Sequence, residues 1–296
     1  MSENTVTNPN EPLFIETEAF WQQISPSLRI GNPNPEFDRP AVTFNEEDRK
    51  LLWELMDREG YLHLPPLNWA VPIQEMALTI ARIRALKLPA ICAFVYDEFW
   101  QIFWSLREFL SLILGDDYKM QYAIWAWYID PQAGESGWKP HRDKGHNALD
   151  PDGKPRALTI WLPLTDATPL NGCMYLVPKD RDPQYGIDGP TEAQFTYADI
   201  RALPAAAGSL LCWTQSILHW GSHSVPRAVL PRISLSVEFQ RADVPPMSGS
   251  VLEPSAIPSF QERLKMIGVE LLHYQHMQPL TPELAAWATK LSIMDV

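Results

Sequence analysis

The chain has 296 residues, 46% of them hydrophobic, and a formal net charge of -12. That is enough apolar material for a substantial core, while the acidic balance without any basic block argues against nucleic acid and membrane surfaces as partners. Cys92, Cys173 and Cys212 are odd in number, widely spaced and each set in an apolar run, the pattern of buried free thiols in a reducing compartment.

Residues 1–12 lack the basic flank and apolar centre of a signal peptide. The most apolar window, 94–114, carries Asp97, Glu98, Arg107 and Glu108, too many charges for a membrane span, so a cytoplasmic protein is expected. Asn45 before an acidic first turn, with Gly60 as the stop, predicts a helix over 46–59. A short strand follows. Ile73, Met76, Ile80 and Ile83 predict a helix over 72–88, and after the break at Pro89 a second helical run is expected to about 114. Residues 118–130 read as a strand, and the loop after them delivers His141. A polar loop over 145–156 precedes a strand over 156–164, in which Thr159, Trp161 and Pro163 share one face. Asn171-Gly172 marks a tight turn before a strand over 173–177. The charged stretch 179–205 is long for a simple connection and is a candidate cover for a substrate opening. From 232 to 239, Arg232, Ser234, Ser236 and Glu238 alternate with apolar residues. If that polar face points inward, helices must cover the other one, and runs at 258–277 and 282–291 can supply them.

The chemistry centres on His141 and Asp143. Side chains two apart in a strand leave the same face, so both can reach one metal ion. A lone His-x-Asp is a common tripeptide, and taken by itself it reads better as an exposed loop with a local ion pair. The stretch 207–240 changes the odds, because it reads as strand, turn, His219, Pro-punctuated loop and then Arg232 opening a second strand. Two histidines and one carboxylate on one side of a metal leave the other side open, as in non-haem Fe(II) oxygenases. Arg232 offers a planar fork suited to bidentate capture of a carboxylate. His223 competes with His219, Arg227 with Arg232, and His146 lies nearby as a loop residue.

The order of His-x-Asp (141–143), NGCMYLVP (171–178), AGSLL (207–211), LHWGS (218–222) and PRISLSVEF (231–239) resembles the phytanoyl-CoA dioxygenase (PhyH-like) family of Fe(II)/2-oxoglutarate-dependent oxygenases, over about 120–241. The resemblance implies a mainly β chain with flanking helices around a double-stranded β-helix (jelly roll, cupin-like). It implies a single dioxygenase domain over 1–296, with helical support at about 41–115, the core at about 118–241 and C-terminal helices at about 258–292. Fe(II) would be held by His141, Asp143 and His219. The co-substrate 2-oxoglutarate would place its far carboxylate on Arg232, with Trp161 and Ser234 lining its pocket, and O2 would complete the reaction. Tyr122, Trp127, Trp138 and Lys144 are the candidate substrate neighbours.

Hydroxylation of a C-H bond is the expected outcome. Demethylation, desaturation or C-N cleavage would use the same residues, and a non-enzymic jelly-roll binding protein is the reading from another class. An acyl-CoA would call for clustered cations, whereas Asp150, Asp152, Asp180, Asp182 and Asp188 stand against Lys144, Lys154, Arg156, Lys179 and Arg181. A free small molecule with an apolar or ring-containing body is therefore expected, plausibly a secondary metabolite or amino-acid derivative. The oligomeric state is left open.

Overall fold

The computed structural model describes residues 14–187 and 194–295. The reading of 1–12 as free of a signal peptide, and Asp188 in the long connection, fall outside the described residues.

The N-terminal third is helical. It comprises α1 (Glu18–Ile24), α2 (Glu46–Glu59), the short strand β1 (Tyr61–Leu64), α3 (Ile73–Ala85), α4 (Glu98–Trp104) and α5 (Arg107–Leu114). Helix α2 starts on a reciprocal cap between Asn45 and Asp48 and ends at Gly60, whose φ of 75° suits only glycine without strain. The single helical run expected after Pro89 is instead broken into a 3-10 turn (Ala90–Val95), α4 and α5. Packing explains the break. All six residues of the turn are buried, and the fully buried Asp97 that follows accepts from the backbone N–H groups of Gly31 and Asn32. Tyr96 between the turn and α4 is extended, at φ -93° and ψ 145°, which interrupts the helical run.

The strands are β2 (Lys119–Ile129), β3 (Ala157–Pro163), β4 (Met174–Val177), β5 (Arg201–Leu203), β6 (Leu210–Thr214), β7 (Leu218–Gly221), β8 (Arg232–Gln240) and β9 (Val251–Leu252). Helices α6 (Phe260–His273) and α7 (Pro282–Ser292) close the chain. A six-stranded sheet runs β1-β6-β3-β8-β2-β9 and a three-stranded sheet runs β5-β4-β7, with every pairing antiparallel. Together they form a jelly-roll core that does not close into a barrel.

Register decides which side chains meet. Trp161 on β3 lies opposite Ser236 on β8 and Leu211 on β6. The inner faces of the two sheets meet through Trp161, Leu211 and Trp213 on one side and Met174, Leu176 and Leu203 on the other. The outer face of the large sheet, with Ile160, Leu162, Leu235, Val237 and Phe239, joins the helices in the larger core. The polar face of β8 therefore points inward and helices cover its apolar face, as the alternation predicts. Among the described residues no helix is long and apolar enough to cross a membrane.

Arg263 of α6 ties these layers together. It pairs with Asp97 at 2.6 Å, both side chains being shielded from water, and also donates to the carbonyls of Val95 and Pro258. Arg263→Leu leaves Asp97 as an uncompensated buried charge and is expected to cost about 3–5 kcal/mol. Chemical denaturation measures this, and a loss below about 1 kcal/mol would show that the pair contributes little to the helix–sheet assembly.

Candidate metal centre and its arginine

His141 and His219 are brought together by backbone hydrogen bonds. His141 N–H donates to the His219 carbonyl at 3.1 Å and His219 N–H donates back at 3.0 Å, the reciprocal pair of an antiparallel bridge. His219 belongs to β7, whereas His141 lies outside any regular strand, in an isolated bridge. The expectation that a strand would align His141 and Asp143 thus holds in outcome but not in mechanism. One bridge fixes His141, and the chain then bends so that Asp143 returns to the same point.

The three side chains converge. Asp143 Oδ1 lies 3.5 Å from Nε2 of His141 and 3.5 Å from Nε2 of His219, and the candidate ligand atoms all fall within 4.8 Å of one another. The remaining polar atoms are held elsewhere. His141 Nδ1 donates to the Lys139 carbonyl at 2.7 Å, and His219 Nδ1 to that of Ile217 at 3.1 Å, which leaves both Nε2 atoms facing the centre with free lone pairs. Thr159 Oγ1 and Trp213 Nε1 donate to Asp143 Oδ2 at 2.6 and 3.3 Å, so that Oδ1 is the oxygen presented.

The protonation states of His219 and Asp143 agree with this arrangement. Burial pushes His219 down to about 4 despite the neighbouring Asp143, so its imidazole is neutral, as ligation requires. Burial also opposes ionisation of Asp143, but His219, His141 and Thr159 outweigh it and hold the carboxyl well below its usual range. For His141, burial alone would lower the pKa, yet the hydrogen bond and charge of Asp143 raise it. Two neutral-capable imidazoles and one carboxylate, with every other polar atom satisfied, fit a divalent transition metal.

Arg232 forms the second part of the site. It is 1% exposed, and among the described residues no carboxylate pairs with it. Its Nη1 donates to Ser234 Oγ at 2.8 Å, and its Nε is buried without a partner. The guanidinium carbon lies 5.5 Å from the centre of the Trp161 ring and 5.9 Å from that of Trp127. Burial lowers its pKa to about 10, which still leaves it charged at neutral pH. Gly137 and Gly221 make room for it: a Cβ on Gly137 would come within 2.6 Å of Gly221 Cα and 3.1 Å of Arg232 Nη2. A buried cation with an idle donor is costly unless an anion meets it. One cavity is lined by His141, Asp143, His219, Arg232, Trp127 and Trp161, among others, so the arginine and the metal cluster face the same space.

Of the other candidates, Trp138 lines this cavity, while Tyr122 and Lys144 do not. Lys144 donates to Ser248 Oγ at 2.6 Å, with Glu238 Oε2 at 3.8 Å. Tyr122 sits at an irregularity in β2, its backbone bonded to Ser250. His223 and Arg227 are exposed, and neither they nor His146 join the cluster.

Several residues that shape the site were not singled out in the sequence. Arg142, between the two ligands, forms a bidentate pair with Asp182 at 2.6 and 3.1 Å and donates to the Ser216 carbonyl. It anchors the ligand loop to the 179–187 segment, which is thus tied down on this side. Glu238 is buried on the inner face, and burial together with Asp143 pushes it up to about 7. The inward alternation of β8 was the available signal for Glu238. No local signal existed for Thr159 and Trp213 as holders of Asp143 or for the long-range partner of Arg142.

Residues 103–225 match the phytanoyl-CoA dioxygenase (PhyH) family; this stretch contains all three candidate ligands and ends before Arg232. No curated protein matches the chain. Among solved structures, the epimerase SnoN in complex with Fe3+, alpha ketoglutarate and nogalamycin RO is 17% identical, with a TM-score of 0.52 over 70% of this chain and 94% of that one. ThoJ, a non-heme monooxygenase in its apo form, is 16% identical, with a TM-score of 0.52 over 80% of this chain and 98% of that one. At such identities the likeness is one of fold.

Thr159→Val removes the short hydrogen bond that orients Asp143 while keeping its volume. Metal affinity is expected to fall about 10- to 100-fold, as read by anaerobic titration, with the thermal midpoint of the metal-free protein nearly unchanged. Undiminished affinity would mean that Thr159 does not position the carboxylate.

Proposed function

We propose that this chain, a PhyH-like protein of the Fe(II)/2-oxoglutarate-dependent oxygenase class, hydroxylates a C-H bond of a free small molecule. The observation that carries the reading is one cavity bounded by the His141, Asp143 and His219 cluster and by a buried arginine without an acidic partner. Residues 41–115 and 258–292 would support a core at 118–241 as one catalytic unit, working in the cytoplasm.

In this reading His141, Asp143 and His219 hold Fe(II), and Arg232 with Ser234 receives the far carboxylate of 2-oxoglutarate. With O2, that centre supplies an oxidant able to take hydrogen from an unactivated carbon. The chain's own part is positioning. Thr159 and Trp213 fix which oxygen Asp143 presents, and the Nδ1 bonds fix the tautomers of both histidines. Trp127 and Trp161 flank the guanidinium and keep water from it, which strengthens its pairing with an anion.

The surroundings favour a small free substrate over an acyl-CoA. Arg156 and Arg241 are both paired with Asp150, Arg142 with Asp182, and Lys179 with Asp57. These cations are already paired, and the two that line the cleft beside the metal cavity, Arg84 and Lys139, are too few for the several phosphate charges of a CoA.

Anaerobic addition of Fe(II) and 2-oxoglutarate is expected to give a weak visible charge-transfer band that His141→Ala and His219→Ala abolish, while His146→Ala and His223→Ala keep stoichiometric iron. A band that survives His141→Ala with full activity would refute the ligand set. Arg232→Ala forfeits a charge-assisted hydrogen bond worth about 1.5–3 kcal/mol, so the 2-oxoglutarate requirement should rise about tenfold or more with iron binding retained. An unchanged requirement, paired with a large effect of Arg227→Ala, would move the role to Arg227.

A further inference from the structure

A second, larger cleft of about 440 Å³ adjoins the metal cavity. Trp127, Gly137 and Trp138 line both spaces. The cleft follows the edge of β2 over 126–129, beyond the point where β9 pairs with Met120 and Gln121. Arg84 of α3, the segment 135–139 and the turn 276–279 after α6 complete its walls.

Its charge is opposite to that of the chain as a whole. Arg84 and Lys139 stand against a single acid, Glu135, with His276 alongside, in a protein of net charge -12. Glu135 is largely engaged: one oxygen accepts from the Asp130 N–H at 2.8 Å and the other meets Arg84 Nη2 at 3.3 Å. Glu135 engages only Nη2 of Arg84, whose side chain is 29% exposed, and Lys139 has no ion-pair partner among the described residues. Two cations with spare donors thus line one cleft, and its inner end is aromatic. The Trp127 and Trp138 rings lie 5.4 Å apart, and Trp138 is 5.8 Å from the His141 ring. The metal cluster is most open on that side, since the side chain of His141 is 26% exposed against 4% for His219 and 11% for Asp143.

We propose that this cleft is the substrate site and that it takes a ring-bearing or otherwise apolar carboxylic acid, with its carboxylate on Arg84 and Lys139 and its body along Trp127 and Trp138 toward His141. The inference rests on the Fe(II)/2-oxoglutarate reading and goes beyond it in naming the substrate class. Guanidinium and ammonium donors favour a carboxylate over its neutral amide through charge-assisted bonds, and a cleft of this volume suits a compact molecule.

The test uses anaerobic enzyme loaded with Fe(II) and 2-oxoglutarate, titrated with benzoate, 3-phenylpropionate and indole-3-acetate, each against its primary amide, with calorimetry as the readout. At least one acid should bind saturably and about tenfold or more tighter than its amide. Arg84→Gln and, separately, the exposed Lys139→Gln should erase that preference while the amide binds as before. No saturable binding by any acid, equal binding of acid and amide, or a preference that survives both substitutions would overturn the proposal. So would an Arg84→Gln variant in which the 2-oxoglutarate requirement rises and the acid affinity does not, because the cleft would then serve the co-substrate. Succinate formation by wild-type enzyme from 2-oxoglutarate alone is measured in parallel. Its absence, together with absence of the charge-transfer band, would count against the oxygenase reading and not against the cleft.

Discussion

The site depends on one pair of backbone hydrogen bonds. His141 and His219 are 78 positions apart in the numbering, and their side chains meet because their main chains exchange N–H and C=O groups across an isolated bridge. Regular strand pairing does not extend to His141, and its direction is fixed further by the Nδ1 bond to Lys139 and by flanking backbone bonds from Gly221 to Trp138 and from Lys144 to Gln215. Arg142 supplies a further restraint on the far side of the loop. Its bidentate pair with Asp182 and its bond to the Ser216 carbonyl pull the chain down immediately after His141. The residue between the two ligands therefore holds the loop while the ligands face the cavity.

The buried arginine is an opposing constraint. Enclosing an unpaired guanidinium costs stability, and part of that cost is offset here by Ser234, by the faces of Trp127 and Trp161 and by the close backbone contact of Gly137 with Gly221. What is left over is binding capacity. A carboxylate entering the cavity would complete the pairing and stabilise the folded chain by mass action, which couples occupancy to rigidity in the strands that also carry the metal cluster.

Much of this was legible in the sequence because it is local. The alternation of Arg232, Ser234, Ser236 and Glu238 fixes their common face, and that face could be inward only if helices covered the other side. His219 was preferred to His223 on the family resemblance alone, and Arg232 to Arg227 by its place at the start of a strand. The rest was not local. Thr159 and Trp213 reach Asp143 from two other strands, Asp182 reaches Arg142 across 40 residues, and no spacing rule connects them. The break of the expected helix into a 3-10 turn, α4 and α5 likewise had no local signal, since it falls within one apolar run whose residues are buried by tertiary packing. Lys144 was a substrate candidate by proximity in sequence; it bonds to Ser248 and does not line the metal cavity.

The most direct measurement of the central claim is anomalous diffraction at the iron edge from crystals grown anaerobically with Fe(II) and 2-oxoglutarate. The expected result is one strong peak bonded to Nε2 of His141, Nε2 of His219 and Oδ1 of Asp143, with the far carboxylate of 2-oxoglutarate on Arg232. A peak at His146 or His223, or an iron centre at the cluster with the 2-oxoglutarate carboxylate bound away from Arg232, would contradict it.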